Sequence, residues 1–209
     1  MDELVRLGAS GLVVGRPFTH PARTAEDLVA VRTMADRLRR LLAEPAAVPD
    51  HPRPLGLDGR EPDGRQHRVV LGDVRRLGAG RDLGFVGFFA TKRPGLDHAP
   101  LTATDDELIR EFPAHPGILS YSSLEAADGN WGNLIVLDPP EAKEHWRTSE
   151  THAWTARELA PRHYTVIRLH DGVFPGGLRS GRDPVIARTR YYDFQASAPW
   201  RAERDLPPA

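Results

Sequence analysis

Cysteine is missing from all 209 residues, which excludes disulfides, thiolate metal ligands and a cysteine nucleophile. Lysine is nearly missing too: Lys92 and Lys143 are the only two, so arginine carries almost all the positive charge. With abundant alanine, glycine and proline, that bias fits genomic base composition better than phosphate binding. The 28 basic and 29 acidic residues leave a net charge of -1, hence no overall attraction to nucleic acid or anionic membrane. No run comes near the roughly 18 apolar residues of a membrane span. The opening MDELVRLGAS has no basic segment before an apolar one, so no secretory signal is expected and the compartment expected is cytoplasmic. There is no H-E-x-x-H, no G-x-S-x-G elbow, no Walker loop and no dinucleotide glycine spacing.

What is present reads as alternating elements. Gly11–Gly15 is a short apolar run that predicts a strand. Thr24 is a plausible N-cap, with Glu26 and Asp27 in the first turn after it. Leu28, Val31, Ala35, Leu38 and Leu42 recur at helical spacing to about Ala43. Proline and glycine crowd residues 45–66, which predicts an irregular linker. Residues 67–77 favour extended structure. From Leu83 the pattern is cleaner. LGFVGFFAT is a buried strand, and Thr104-Asp105-Asp106-Glu107 is a capping box that opens a short helix. Residues 117–125 and 133–137 are strands joined at the turn Asp128-Gly129-Asn130, so they form an antiparallel hairpin. A long helix follows from Glu141 to about Ala160, stopped by Pro161, and then a strand over 164–170. Residues 185–194 give a further strand, and the tail beyond is polar and proline-rich.

The long second helix carries the candidate chemistry. At about 100° per residue, Ala142, Ser149, Ala153, Ala156 and Ala160 share one small face. Trp146 borders that face on one side. His145 and His152, two turns apart, border it on the other. Such a helix can lie close on a sheet, with larger side chains walling a cleft. Each histidine has three readings: a metal or haem-iron ligand, a general base near neutral pH, or a solvated side chain on a helix margin. On the strand YTVIRLHDG, Arg168 and His170 share one face. A guanidinium beside an imidazole can bind a carboxylate or polarise an oxygen, and the plain alternative is a solvated edge.

The aromatic strand LGFVGFF, the strand PGILSYSS, the strand NLIVLD and the helix with Trp146, Ser149 and His152 together resemble the antibiotic-biosynthesis monooxygenase group. That resemblance covers somewhat under half of the chain. It implies a dimeric α/β barrel with a cleft between helices and sheet, in a group whose members include cofactor-free oxygenases, haem-degrading enzymes and proteins with no known activity. TSETHAW around His152, followed by IRLH, is similar to the haem-bearing segment of aldoxime dehydratases. By that likeness His152 is the iron ligand and His170 its distal partner. LVRLGASGLVVGRPFT and the helix after it resemble the last phosphate-loop strand and helix of orotidine-phosphate decarboxylases; the other strands of that barrel are missing.

The expected fold is therefore α+β, of ferredoxin-like β-α-β-β-α-β order and dimeric-barrel type, with an N-terminal helical extension. The expected parts are residues 1–82 as strand, helix and linker, 83–195 as the barrel domain, and 196–209 as a tail. The expected function is a small-molecule oxygenase-like or haem-dependent enzyme of secondary metabolism. His145, Trp146, Arg168 and His170 are its candidate catalytic residues and His152 the residue to hold haem iron. The alternative is a non-catalytic homodimer that binds a small ligand in the same cleft. Neither nucleic acid nor membrane is an expected partner.

Overall fold

The computed structural model describes residues 4–44, 54–196 and 199–206. The element that organises it is the first helix, α1, Pro21–Ala43. It begins three residues before Thr24. His20 is extended and its ring Nδ1 accepts a hydrogen bond from the Ala22 amide at 3.1 Å. Pro21 follows at the first helical position, where its missing N–H is no loss. Asp27, Val31, Met34, Ala35, Leu38 and Leu42 make its buried stripe. Asp27 is thus one turn deeper than a first-turn residue, and it faces the core.

The described strands form one nine-stranded sheet. They are β1 Val5–Leu7, β2 Leu55–Arg60, β3 Gln66–Leu71, β4 Leu83–Lys92, β5 Ile118–Glu125, β6 Trp131–Leu137, β7 Tyr164–Phe174, β8 Val185–Asp193 and β9 Trp200–Asp205. Their spatial order is β1-β9-β8-β7-β4-β6-β5-β3-β2. Neighbours are antiparallel except β1 and β9, which run parallel.

This sheet corrects the expected fold. A ferredoxin-like dimeric barrel needs a small sheet with one bare face on which a second copy can close. Here β4 to β7 are the middle of a wider sheet, extended by β8, β9 and β1 on one side and by β3 and β2 on the other. The face that a partner would need is covered by α1. Val31, Met34, Ala35 and Leu38 are fully buried there with Phe85, Leu119, Leu134 and Phe174. Glycine makes room on this face. A Cβ on Gly132 would lie 2.5 Å from the Phe89 ring, and one on Gly172 would lie 2.3 Å from the Phe85 ring.

Smaller expectations also change. Residues 11–15 form no strand; the strand nearby is β1. The linker reading of 45–66 falls partly outside the described residues, and 55–60 is β2, paired with β3. The predicted strand over 67–77 ends at Leu71 and gives way to the short helix α2, Val74–Leu77. The polar tail contains β9. Its charged residues belong there because Arg204, wholly buried, ties the chain's beginning to its end. It donates to the carbonyls of Gly8 (3.1 Å), Gly11 (2.5 Å) and Thr19 (2.9 Å), and to the Tyr191 hydroxyl (2.6 Å). No helix among the described residues is long and apolar enough to cross a membrane.

What holds α1 in register is an ionic clamp. Arg168 of β7 meets Asp27 with two hydrogen bonds, Nε to Oδ2 at 2.5 Å and Nη2 to Oδ1 at 2.8 Å. His170 Nε2 lies 2.9 Å from the same carboxylate, and its Nδ1 lies 2.8 Å from the Thr189 hydroxyl. Burial pushes the Asp27 carboxyl up, but the bonds to Arg168 and His170 outweigh it and hold the pKa below the usual range. Asp27→Ala strands a buried cation and should cost about 3–5 kcal/mol, read from the urea midpoint. Because the folded pKa is depressed, this stabilisation is whole above the unfolded carboxyl's value of about 3.9 and is lost as pH falls through the folded one. The variant should lack that acid-dependent part. An unchanged midpoint would refute the clamp.

Candidate functional site

The other face of the sheet is covered by two helical layers. The first is α3, Ala99–Arg110. It starts before the expected capping box, with Pro100 in its first turn, and Thr104 turns its hydroxyl back to the Pro100 carbonyl at 2.8 Å. The second layer is the region read from sequence as one long helix, and it is broken. It consists of α4 (Ala142–Trp146), α5 (Glu150–Trp154), a π-helical turn (Thr155–Leu159) and α6 (Ala160–His163).

Each break has a local cause. Ser149 leaves the helix and recaps it: its hydroxyl accepts from the His152 amide at 3.0 Å and donates to Glu111 at 2.6 Å. So Ser149 is a cap and a tie to the end of α3, where the sequence suggested a small packing residue. Pro161 cannot donate to Arg157, four residues earlier, and its ring would crowd that carbonyl. The turn before it widens, and the Ala160 amide bonds to Thr155, five residues back.

Between this broken layer and the sheet lies a partly open cavity of about 790 Å³. Its floor is the sheet face carrying Val86, Phe88 and Ala90 of β4, Ile135 of β6, and Ile167 and Leu169 of β7. One cross-strand row spans it: Asp58, Arg68, Ser123, Asn133, Phe88, Leu169 and Arg190. Ser123 donates to Asn133 at 2.9 Å, in the middle of that row. Trp146, His152, Ala153, Ala156 and Leu159 form the roof. Leu101, Asp105 and Leu108 of α3 form one wall, facing Tyr121 of β5. The arginines of the cavity are already paired: Arg68 with Asp106 at 2.8 Å, Arg147 with Glu144 at 2.8 Å, and Arg190 with Asp171 at 2.8 Å.

The site residues expected from sequence divide into three places. Trp146 and His152 line the cavity, their rings 5.0 Å apart. His145 is exposed, its ring 5.3 Å from that of His115, beside a separate recess. The break at Ser149 is what parts it from His152. Arg168 and His170 lie on the opposite face of the sheet, in the α1 clamp, with His170 wholly buried. The haem expectation needed His152 and His170 on one hollow; a sheet stands between them, so the pair does not fit a haem with both as axial neighbours.

Sequence reasoning missed Asp105, Tyr121 and Tyr164. Asp105 was read as part of a cap, yet it stands four residues after Leu101 and three before Leu108, the spacing of an inward helix face. Tyr121 and Ser123 alternate with Ser120 and Ser122 along β5, so a parity count puts them on the cavity face.

Two imidazoles line the cavity, His98 and His152, and His152 is the one packed on Trp146. Burial lowers its pKa, the Arg147 charge lowers it further, and Glu111 opposes both. No ring nitrogen of His152 bonds a protein group among the described residues.

No described protein family and no curated protein matches this chain. A crystal structure of a protein from Shewanella oneidensis is similar to part of it, with a TM-score of 0.37 and 13% identity over 46% of this chain and 94% of that one. A likeness that distant says nothing of function.

The imidazole C–H resonance of His152 should titrate below the ordinary value of about 6.5. A midpoint at or above that value, in spectra assigned with His152→Gln, would refute its burial in the roof.

Proposed function

We propose that the protein is a small-molecule enzyme whose substrate occupies the cavity, with His152 as the group that takes a proton from it. The cavity itself carries this reading. At about 790 Å³ it has the volume of a drug-sized ligand site, mostly apolar with a few converging polar groups. A neutral imidazole on its roof is the protonation state a base needs. The π-helical turn supports the reading, since such turns cluster at functional sites. The apolar floor would hold a flat or aromatic substrate, and it would limit water near the proton being moved.

A second reading is a binding protein that uses the same cavity without chemistry. One observation favours it: among the described residues no carboxylate bonds the His152 ring, so the imidazole lacks there the orienting partner that bases commonly have.

Ala156→Phe puts a large ring into the roof from an exposed position, where the fold can accept it. In a screen of aromatic and aliphatic small molecules by thermal shift, hits of the unaltered protein should vanish in this variant. Hits that persist unchanged would overturn the cavity as the site. Among the hits, turnover should fall by about 10²–10⁴-fold in His152→Gln with binding kept. Binding without turnover of any hit, and indifferent to His152→Gln, would leave the second reading.

A further inference from the structure

We propose that the molecule held in the cavity carries a protonated amine, docked against Asp105 and the aromatic side chains around it. This rests on the cavity being a small-molecule site and adds the charge of its occupant.

Asp105 lies on the inward face of α3 and lines the cavity. Its one hydrogen bond among the described residues comes from the Tyr121 hydroxyl, at 2.8 Å. It makes no ion pair there. The nearest arginine, Arg68, reaches Asp106 at 2.8 Å and Asp58 at 3.9 Å instead. A carboxylate offers about four lone-pair positions, so a single phenol leaves most of them unfilled. Burial raises the Asp105 pKa, and neither the Tyr121 bond nor the Arg68 charge brings it back down. The protein's own donors and cations leave the ionised form of this carboxyl less favoured than usual. A cationic ligand favours that form, and an anionic one disfavours it further.

The opposing candidate is Lys92, at the end of β4, which also lines the cavity and has no ion pair among the described residues. It acts on Asp105 more weakly than Arg68 does. Its long stem lets the ammonium swing out to bulk water, whereas the short Asp105 side chain keeps its half-buried carboxylate at the cavity wall. Asp105 is therefore the group that needs a partner. Phe88 and Tyr164, in edge contact at 5.6 Å, and Trp131 offer ring faces in the same cavity, and ring faces attract ammonium groups.

Three probes of one skeleton decide it: 4-phenylbutylamine, 4-phenylbutanol and 4-phenylbutyrate, titrated into the full chain by calorimetry. The amine should bind at least about tenfold more tightly than the alcohol, with the carboxylate weakest. Asp105→Asn should erase the amine's advantage and leave the alcohol unchanged. Tyr121→Phe keeps the carboxylate and should keep the preference, which guards against a folding defect in the first variant. Equal binding of all three probes, abolished by Ala156→Phe, would overturn the amine and leave the cavity standing. The carboxylate binding tightest, and losing that in Lys92→Gln, would overturn it in favour of an anion. Failure of all three to bind would also overturn it, while the cavity stands or falls with the wider screen.

Discussion

The bond between Asp27 and Arg168, with His170 beside it, decides which face of the sheet is which. A 23-residue helix laid on a sheet by apolar contacts alone could slide or turn, because those contacts have no direction. A bidentate guanidinium–carboxylate pair has one geometry. Once it forms, Val31, Met34 and Leu38 fall on Phe85, Leu134 and Phe174, and that face is shut. Everything else follows from the shutting. Among the described residues the α1 face is filled, and the cavity lies on the other side, under α3 to α6.

That hollow exists because the second helical layer cannot run straight. An unbroken helix of small residues from Ala142 to Ala160 would lie flat on the sheet and leave no space. Ser149 turns the chain and ties it to Glu111; Pro161 forces a wide turn. Ala153 and Ala156 line the roof of the hollow, while Ala160 packs on Ala90 and Ile167 at its end. Depth comes from backbone interruptions and not from large side chains.

The elements legible in sequence were those with strong periodicity. The α1 stripe, the aromatic β4 and the β5–β6 hairpin stand close to where their patterns put them. The sheet's full width was not legible. β2 is LGLDGR and β9 is WRAERD, with glycine, charge and little alternation, and each becomes a strand only because a neighbouring edge accepts it. The site was half legible. Trp146 and His152 were found by helical spacing, and they do line the cavity. His145 was lost because spacing assumes an unbroken helix. Arg168 and His170 were rightly placed on one face of β7, but one strand cannot tell which of its faces is which. That depends on α1, whose Asp27 is 141 residues from Arg168 in sequence.

Two aspartates make the last distinction. Asp27 and Asp105 both stand on inward helix faces, within apolar spacing, each meeting one strand of the same sheet. Asp27 receives two bonds from an arginine and a third from a histidine, and its pKa is held down. Asp105 receives one from a phenol, and its pKa is pushed up. A carboxylate saturated by its own chain has finished its work when the chain folds. One that its own chain gives a single donor, beside a hollow, keeps lone pairs for water or a ligand. The difference is invisible in composition and in spacing. It is visible in the count of donors, and that count separates the residue that builds this fold from the residue offered to a ligand.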